Sequence, residues 1–570
     1  MSLSPTGFAN ASAFGTPSIF PSLAPAGIAS SNAFVTLTLS AGPASASVGA
    51  GIFVTAEATA LETGVGDHIV RASDVGYRTA PSDPGGVLPF PARITESIML
   101  SRAVDVSPGA AAAAVAWGAV YLANSDGEYD DIADWSNDGK SIEIKYGRKI
   151  FDATRRYWRD PNYASLRPLF AGVQGAWRAE NRALTIPLRD ATYWLDQPIQ
   201  THQYGGTGGY DGTEELEGVR KPKLRGLARN ISPVLIDPVN LIYQFNDGPG
   251  QVLLVWEGGV GTFGYPAESD TTNLYSGTTS AGRYRTDNSR GLFQLGTAPT
   301  YQITIDAAGH FPVAGYKYEL ADIARWLLTE DAGLPSEYID TAEYAAVAAA
   351  YPYTGGWYWG PEDTDTGAAA VSRLLVGLGA KLIPRRDGTL GVFVLRALAG
   401  TETPVAVLDT STAREVAARA LPSDVSPPPW RIRAGWRRNG TIQTTGLLPA
   451  IATYEPNRIA FVASATRSYT WSDTAVQSAY ARPNDIGPVI TALDTAVHAH
   501  ALADAWGALW GVRRRLLDVV VPLDVGLTLD IGNVVRVTWP MDDLDAGVLG
   551  QIVGDNLRTA DSTLTLTVLV

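Results

Sequence analysis

Apolar residues change their spacing several times along the chain, most clearly over the final 80 positions. Leu493–Arg515 reads LDTAVHAHALADAWGALWGVRRR, with Leu493, Val497, Leu502, Trp506, Leu509 and Trp510 near one face at a 3.6-residue period, which predicts a helix. The strand-like pieces LLDVVVPLDVGLTLD, IGNVVRVTWP, GVLGQIVGD and STLTLTVLV follow. Leu564, Leu566, Val568 and Val570 alternate strictly, so one face of that strand should be buried and the other wet. A chain that stops on this strand is expected to pair it into a barrel or sheet.

Upstream, AVAWGAVYLAN, KSIEIKYGRKI and LFAGVQGAWRAENRALTIPLRD are separated by the turn signals NSDG, SNDG and AENR, which predicts a small barrel or sandwich. The pattern turns helical at 316. YKYELADIARWLLTEDAG places Leu320, Ile323, Ala324, Leu327 and Leu328 on one face, with Gly333 as the stop. TAEYAAVAAAY and GAAAVSRLLVGLGA predict two more helices, and KLIPRRDGTLGVFVL two strands around an RDG turn. The expected fold class is therefore mainly β with an α+β insertion, in several domains. Residues 1–80, rich in Ala, Ser, Gly and Thr, hold candidate strands at Phe34–Gly42 and Gly51–Ala58 and are expected to order on a partner. The further expected units are 81–200, a first barrel; 201–315, β-rich; 316–403, the α+β unit; 404–490, β-rich; and 491–570, the helix and closing strands.

Length and composition narrow the class. A chain of 570 residues exceeds one core, and about 3–5 domains is the expectation. The 58 glycines and 36 prolines favour short strands and turns, while 15 Trp and 24 Tyr suit buried sheets or large interfaces. No cysteine is present, which excludes disulfides, thiolate nucleophiles and Cys-ligated metal. The start MSLSPTGFANASAFG lacks a basic stretch before an apolar core, and the longest apolar run, Gly109–Ala123, is short for a bilayer; the expectation is a soluble chain made in the cytoplasm without a membrane span. A net charge of −14, with only small basic clusters at Arg155–Arg156 with Arg159, Arg437–Arg438 and Arg513–Arg515, argues against sequence-specific nucleic-acid binding.

Candidate chemistry is sparse. Of the five histidines, His68, His202, His310, His498 and His500, only His498 and His500 invite a metal, with Asp494 or Asp504. Residues i and i+2 of a helix point to nearly opposite sides, so the two rings cannot share an ion. Asp134, Ser136, Asp138 and Gly139 open like a calcium loop, but Lys145 stands where the twelfth-position acid belongs, and a β-turn is expected instead. Asp211, Glu214 and Glu215, and Glu362, Asp363 and Asp365, are loop acids expected to be solvated; a glycosidase would need two of them facing across a cleft. Gly205, Gly206, Gly208 and Gly209 lack the Lys-Ser/Thr of a phosphate cradle. Trp357, Tyr358 and Trp359 could stack sugars or fill a structural gap, and the latter is expected. No catalytic, cofactor or metal residue is assigned.

Four segments carry a resemblance. IGNVVRVTWP with GVLGQIVGD and the alternating last strand, GVRKPKLRGLARNISPVLIDPVNLIYQF (Gly218–Phe245), WGAVYLANSDGEYDDIADW (Trp117–Trp135) and PPWRIRAGWRRNGTIQ (Pro428–Gln443) resemble, in the same order, stretches of the central hub proteins at the tail tip of long non-contractile phage tails, which are similar to the baseplate hubs of contractile phages. The resemblance implies two tube-like β-barrels per chain, the first within about 86–200 and the second drawing on 428–450 with the closing strands of 515–570, smaller appended domains, and a homotrimer whose six barrels dock a sixfold tube. It also implies a virion location at the tail tip, with the distal tail ring, the tape-measure protein and receptor-binding fibres as partners, and opening for DNA ejection without enzymatic chemistry. Residues 1–80 would dock onto a neighbouring tail protein. The alternatives are a tail-associated glycan hydrolase, using acids such as Asp211 or Asp363, and a carbohydrate-binding spike.

Overall fold

Ile52–Glu62 is the first strand of the computed structural model, which describes residues 51–570 except 181, 262–264, 310–317, 542 and the side chains of 133 and 134. The expected strand Phe34–Gly42 and most of the expected docking segment 1–80 lie outside the described residues. Val54, Ala56, Ala58 and Ala60 alternate into one core, while Phe53 points the other way to join Tyr77, Phe90 and Leu166. This strand pairs with Gly66–Ser73 on one side and Ser141–Arg148 on the other. Arg167–Gln174, Ala183–Arg189 and Ala119–Ala123 follow in antiparallel order. Residues 91–95 then complete the circuit: Arg93 N and Ile94 N each donate to Ser73 O at 2.9 Å, and Ala123 N donates to Arg93 O at 2.7 Å. These isolated bridges at Ser73 and Ile94 draw the two ends of the sheet into a ring, while the rest of Gly66–Ser73 remains an edge. Val120, Leu122, Ile142, Ile144, Leu184 and Ile186 fill its interior, so the ring is packed and not a pore. Two of its staves come from upstream of the expected boundary at residue 81, because Gly51–Ala58 is a strand whose partner, Ser141–Arg148, lies far along the chain.

A second sheet runs Ala406–Leu408, Val534–Val537, Val548–Arg558, Thr563–Leu569, Leu516–Pro522, Glu415–Arg419. Leu564, Leu566 and Val568 are fully buried, as their alternation predicts. The opposite face is drier than expected toward the end: Thr567 is buried because its hydroxyl donates to Asp518 at 2.8 Å and accepts from Arg419 at 3.3 Å. Met99–Val104 leaves the region of the first ring and pairs with Val548–Arg558, with Ala113–Ala116 outside it. Pro429–Trp436, expected beside these closing strands, instead forms a separate sheet with Arg467–Ser472 and Asn484–Ile490. That sheet is covered by the helix Ala496–Trp510, whose Gly507 lets the Trp471 indole lie directly on the helix backbone.

Between them, Lys223–Ile231 pairs with Ile303–Gly309 and Gly356–Trp359, and a five-stranded sheet stands beside. The α+β unit has the expected helices at Leu320–Trp326, Thr341–Ala350 and Gly367–Val376. The first widens into a π turn at Leu327–Asp331 and stops at Gly333, whose φ is +66°. The strands Ala380–Pro384 and Leu390–Val394 form the hairpin read from the RDG turn. Among the described residues no helix is long and apolar enough to cross a membrane. The fold is mainly β, in several sheets.

The α+β unit is fastened by buried charge. Asp331 accepts from Lys223 Nζ at 2.7 Å and from Arg225 Nε and Nη2 at 2.8 and 2.7 Å. Burial alone would raise the Asp331 carboxyl, but the charges and hydrogen bonds of Arg225 and Lys223 overcome this and hold it below the usual range. A depressed carboxyl contributes stability that is complete above its unfolded pKa, about 3.9, and is lost as pH falls through the folded value. Unfolding temperature is therefore expected to fall with acidification below about pH 4. Asp331→Asn should flatten that acid limb while lowering the neutral plateau, which calorimetry across pH 3–7 checks.

Candidate functional site

A short hairpin leaves the first ring at the end of Ser141–Arg148. Ile150–Asp152 and Tyr157–Arg159 pair antiparallel, with Phe151 opposite Trp158 and their rings 5.2 Å apart. Asp152 shapes the turn, its carboxylate accepting from Thr154 N at 3.0 Å and Arg155 N at 2.9 Å. Ile150, Phe151, Tyr157 and Trp158 are 40–52% exposed, and Arg155, Arg156 and Arg159 are exposed between them. An aromatic patch of this kind interleaved with arginine has the composition of a protein interface. In the sequence only the small basic cluster Arg155–Arg156 with Arg159 stands out; the flanking Phe151 and Tyr157–Trp158 carry no pattern that marks them as exposed. Val405 and Val407 add exposed apolar positions along Ala406–Leu408, the end strand of the second sheet.

Two of the four sequence segments meet in a joint. Arg229 bridges Asn439, Gly440 N donates to Arg229 O at 2.9 Å, and Asn230 Nδ2 donates to Asn439 Oδ1 at 2.9 Å. Asn230 takes a left-handed φ of +51°, which Asn tolerates better than most residues. Asn439 Nδ2 donates in turn to Val462 O at 2.9 Å, and Arg229 forms a two-pronged pair with Asp494 at 2.9 and 2.7 Å. The other two segments lie apart: Trp117–Trp135 supplies a stave of the first ring, and the closing residues supply the second sheet.

The residues weighed for chemistry are placed as follows. His498 Nδ1 accepts from Thr354 N at 3.1 Å and its ring stacks on Tyr353, whereas His500 lies against Tyr469, so the two rings serve different neighbours. Burial lowers the His498 pKa. His68 pairs with Glu62 at 3.0 Å and His202 with Asp247 at 2.7 Å; His310 lies outside the described residues. Asp138 and Gly139 sit in a turn closed by Lys140 N donating to Asn137 O at 3.1 Å, and Lys145 lies over the Tyr163 ring. Ser136 bridges Leu61. Asp504 is exposed on its helix.

Asp211 is held down by hydrogen bonds from Gly205 N, then Thr207, and Lys221 lies 3.5 Å away. Glu215 accepts from Thr213, and Glu214 is exposed. Asp363 accepts from Gly360 N at 2.7 Å, and Glu362 is exposed. Burial would raise Asp365, but hydrogen bonds from Arg373 and from Trp359 Nε1 hold it below the usual range. A general acid needs the opposite shift. Trp357, Tyr358 and Trp359 are only 6, 5 and 0% exposed: they fill the middle sheet and offer no face to a sugar. Among the described residues no group of three His, Cys, Asp or Glu could hold a metal ion.

No family model and no curated protein matches the chain. Solved structures that resemble it include a tail protein from Neisseria meningitidis MC58, with a TM-score of 0.36, 10% identity and coverage of 91% of this chain and 97% of that one. The 43 kDa tail protein of prophage MuSo2 from Shewanella oneidensis gives a TM-score of 0.34 at 10% identity, covering 86% and 96%. A chain of a native gene transfer agent virion gives 0.35 at 14% identity, covering 67% and 92%.

Proposed function

We propose that this protein is the central hub at the distal tip of a phage tail, a virion structural protein acting as a homotrimer. The observation that carries the reading is where the four hub-like segments fall: one in the first ring, two joined through Asn230 and Asn439, and the last in the second sheet. In this reading the first ring and the second sheet are the two barrel units of each chain, and three chains present six around the lumen. The packed interior of the ring supports its reading as part of the tube wall, with the channel elsewhere. The acidic net charge suits a conduit from which DNA slides, since like charges repel. The distal tail ring, the tape-measure protein and receptor-binding fibres would be its partners, and opening of the hub on adsorption would release DNA.

The hairpin at 150–159 is the proposed contact between copies. Light scattering on the full chain, alone and with its neighbouring tail proteins, should give a mass near 180 kDa, three times the 60.5 kDa chain. Phe151→Ser with Trp158→Ser should shift that population to monomer while the far-ultraviolet circular dichroism of the folded chain is kept, because both rings are about half exposed. A stable monomer that ignores those partners and cleaves a host-surface polysaccharide would overturn the reading.

A further inference from the structure

A cavity of about 360 Å³ opens beside the joint, where the strand Gly250–Glu257 faces the short helix Pro456–Val462. Four arginines line it, Arg229, Arg437, Arg458 and Arg467, in a chain whose overall charge is strongly negative. Their partners are unevenly shared. Arg229 takes both oxygens of Asp494 and stands 3.5 Å from Asp306, and Arg437 leans on Asp494 at 3.5 Å. Asp306 is further committed to Asn230 N at 2.9 Å, and Glu455 to Gly261 N at 2.9 Å.

Arg458 and Arg467 are left over. Arg458 donates one Nη2 hydrogen bond to Asn230 Oδ1 at 2.8 Å; among the described residues its buried Nε has no acceptor and no carboxylate stands at ion-pair distance. The Arg467 guanidinium makes no hydrogen bond or ion pair with any described residue. Both lie against the same Phe461 ring, at 5.7 and 5.5 Å, and Arg458 also stacks on Trp256 at 3.2 Å. Burial, with Arg467 adding to it against the pull of Asp306 and Glu455, lowers the Arg458 pKa to about 10. The buried indole N–H of Trp256 likewise has no acceptor among the described residues. Two guanidiniums held over one apolar ring repel each other, and buried donors left unpaired are costly. Both costs are removed by one group that brings negative charge and several acceptor oxygens.

We propose that this cavity binds an oxyanion, a phosphate or a carboxylate, between Arg458 and Arg467. The planar guanidinium fork matches two oxygens of such a group, and stacking on Trp256 holds the Arg458 fork in place. Asp494 and Asp306 neutralise the inner pair of arginines and leave the outer pair for the ligand.

The test is thermal shift and titration calorimetry on the full chain with sodium phosphate, sodium acetate and sodium chloride at equal ionic strength. Phosphate or acetate should stabilise saturably where chloride does not, and the better of the two names the anion. Glycerol 3-phosphate and glucuronate then distinguish a free ion from the end of a larger molecule, by whether the extended compound binds as well as the bare ion. Arg467→Gln, which removes a partly exposed guanidinium whose described contacts are the Phe461 and Trp436 rings, should fold normally and weaken binding about tenfold, the value of one charge-assisted contact. Arg513→Gln, at an exposed position elsewhere, should bind like the wild type. Equal responses to all three salts, or undiminished binding by Arg467→Gln, would overturn the proposal.

Discussion

Asp555→Asn is expected to destabilise the protein by about 3–5 kcal/mol, the cost of leaving buried cations without their counter-charge. Asp555 lies on Val548–Arg558 and binds two arginines from different parts of the chain. Arg102, from the strand Met99–Val104, donates Nε to it at 3.1 Å and also approaches through Nη2; Arg386, from the RDG turn, reaches the same carboxylate. The Arg102 and Asp555 side chains are 1% and 4% exposed, so water cannot replace the lost charge. The arginines are committed elsewhere as well, Arg102 to Pro384 O at 2.8 Å and Arg386 to Leu529 O at 2.7 Å, and cannot turn to solvent. An asparagine would also point an N–H₂ group at a guanidinium donor. Asp530, which meets Arg102 at 2.8 Å but is 29% exposed, supplies the comparison: Asp530→Asn should cost about 1 kcal/mol or less. Calorimetric unfolding measures both, and hydrogen exchange at 99–104 and 548–558 locates the loss. Equal effects of the two substitutions would show that Asp555 is not the fastening it looks to be.

Local order was legible where a segment answers to its own neighbours. The helix Ala496–Trp510 followed from its 3.6-residue period, although Val497, read as part of its apolar face, is 74% exposed; the alternating last strand followed from Leu564, Leu566 and Val568, and the stop at Gly333 from its position after the apolar face. What stayed hidden depends on partners far away in sequence. Nothing in IFVTAEATALE says that its neighbour is Ser141–Arg148, so the first ring reads as starting too late. Met99–Val104 looks like one more strand of that ring, yet Arg102 belongs with Asp555, 453 residues on. Pro429–Trp436 has the same apolar pattern whether it joins the closing strands or makes its own sheet, and the packing surface offered by Ala496–Trp510 decides. At the candidate surface the opposite holds. Arg155, Arg156 and Arg159 were visible as a cluster, but the exposure of Phe151 and Trp158 was not, because an apolar residue in a strand is read as core until the fold shows nothing covering it. The cavity arginines come from four separate stretches and carry no common spacing at all.

Gly226→Ala should be as damaging as the loss of Asp555, at about 3 kcal/mol or more, from a single added methyl group. Gly226 sits in Lys223–Ile231 directly opposite Gly356, with φ at +70°. That left-handed backbone costs an alanine about 1–2 kcal/mol by itself. The larger part is steric: a Cβ there would overlap the Gly355 carbonyl oxygen and press on Gly356 Cα and Ile323 Cδ1. Only a flexible side chain could give way cheaply, and most of these neighbours are backbone. Gly355 O is held by Leu227 N at 2.9 Å, and Gly356 N is held by Ala492 O at 2.9 Å, so retreat of that segment breaks hydrogen bonds on both sides. The same retreat would unseat Trp357 and Trp359 from the core. Gly333 separates the two contributions, since its φ is +66° but nothing lies within 4 Å of its would-be Cβ. Gly333→Ala should therefore lose the backbone term alone, about 1–2 kcal/mol. Unfolding midpoints of the two variants, with hydrogen exchange at 223–231 and 356–359, decide the matter: if they fall together, the close approach of the two glycine strands carries none of the stability of the middle sheet.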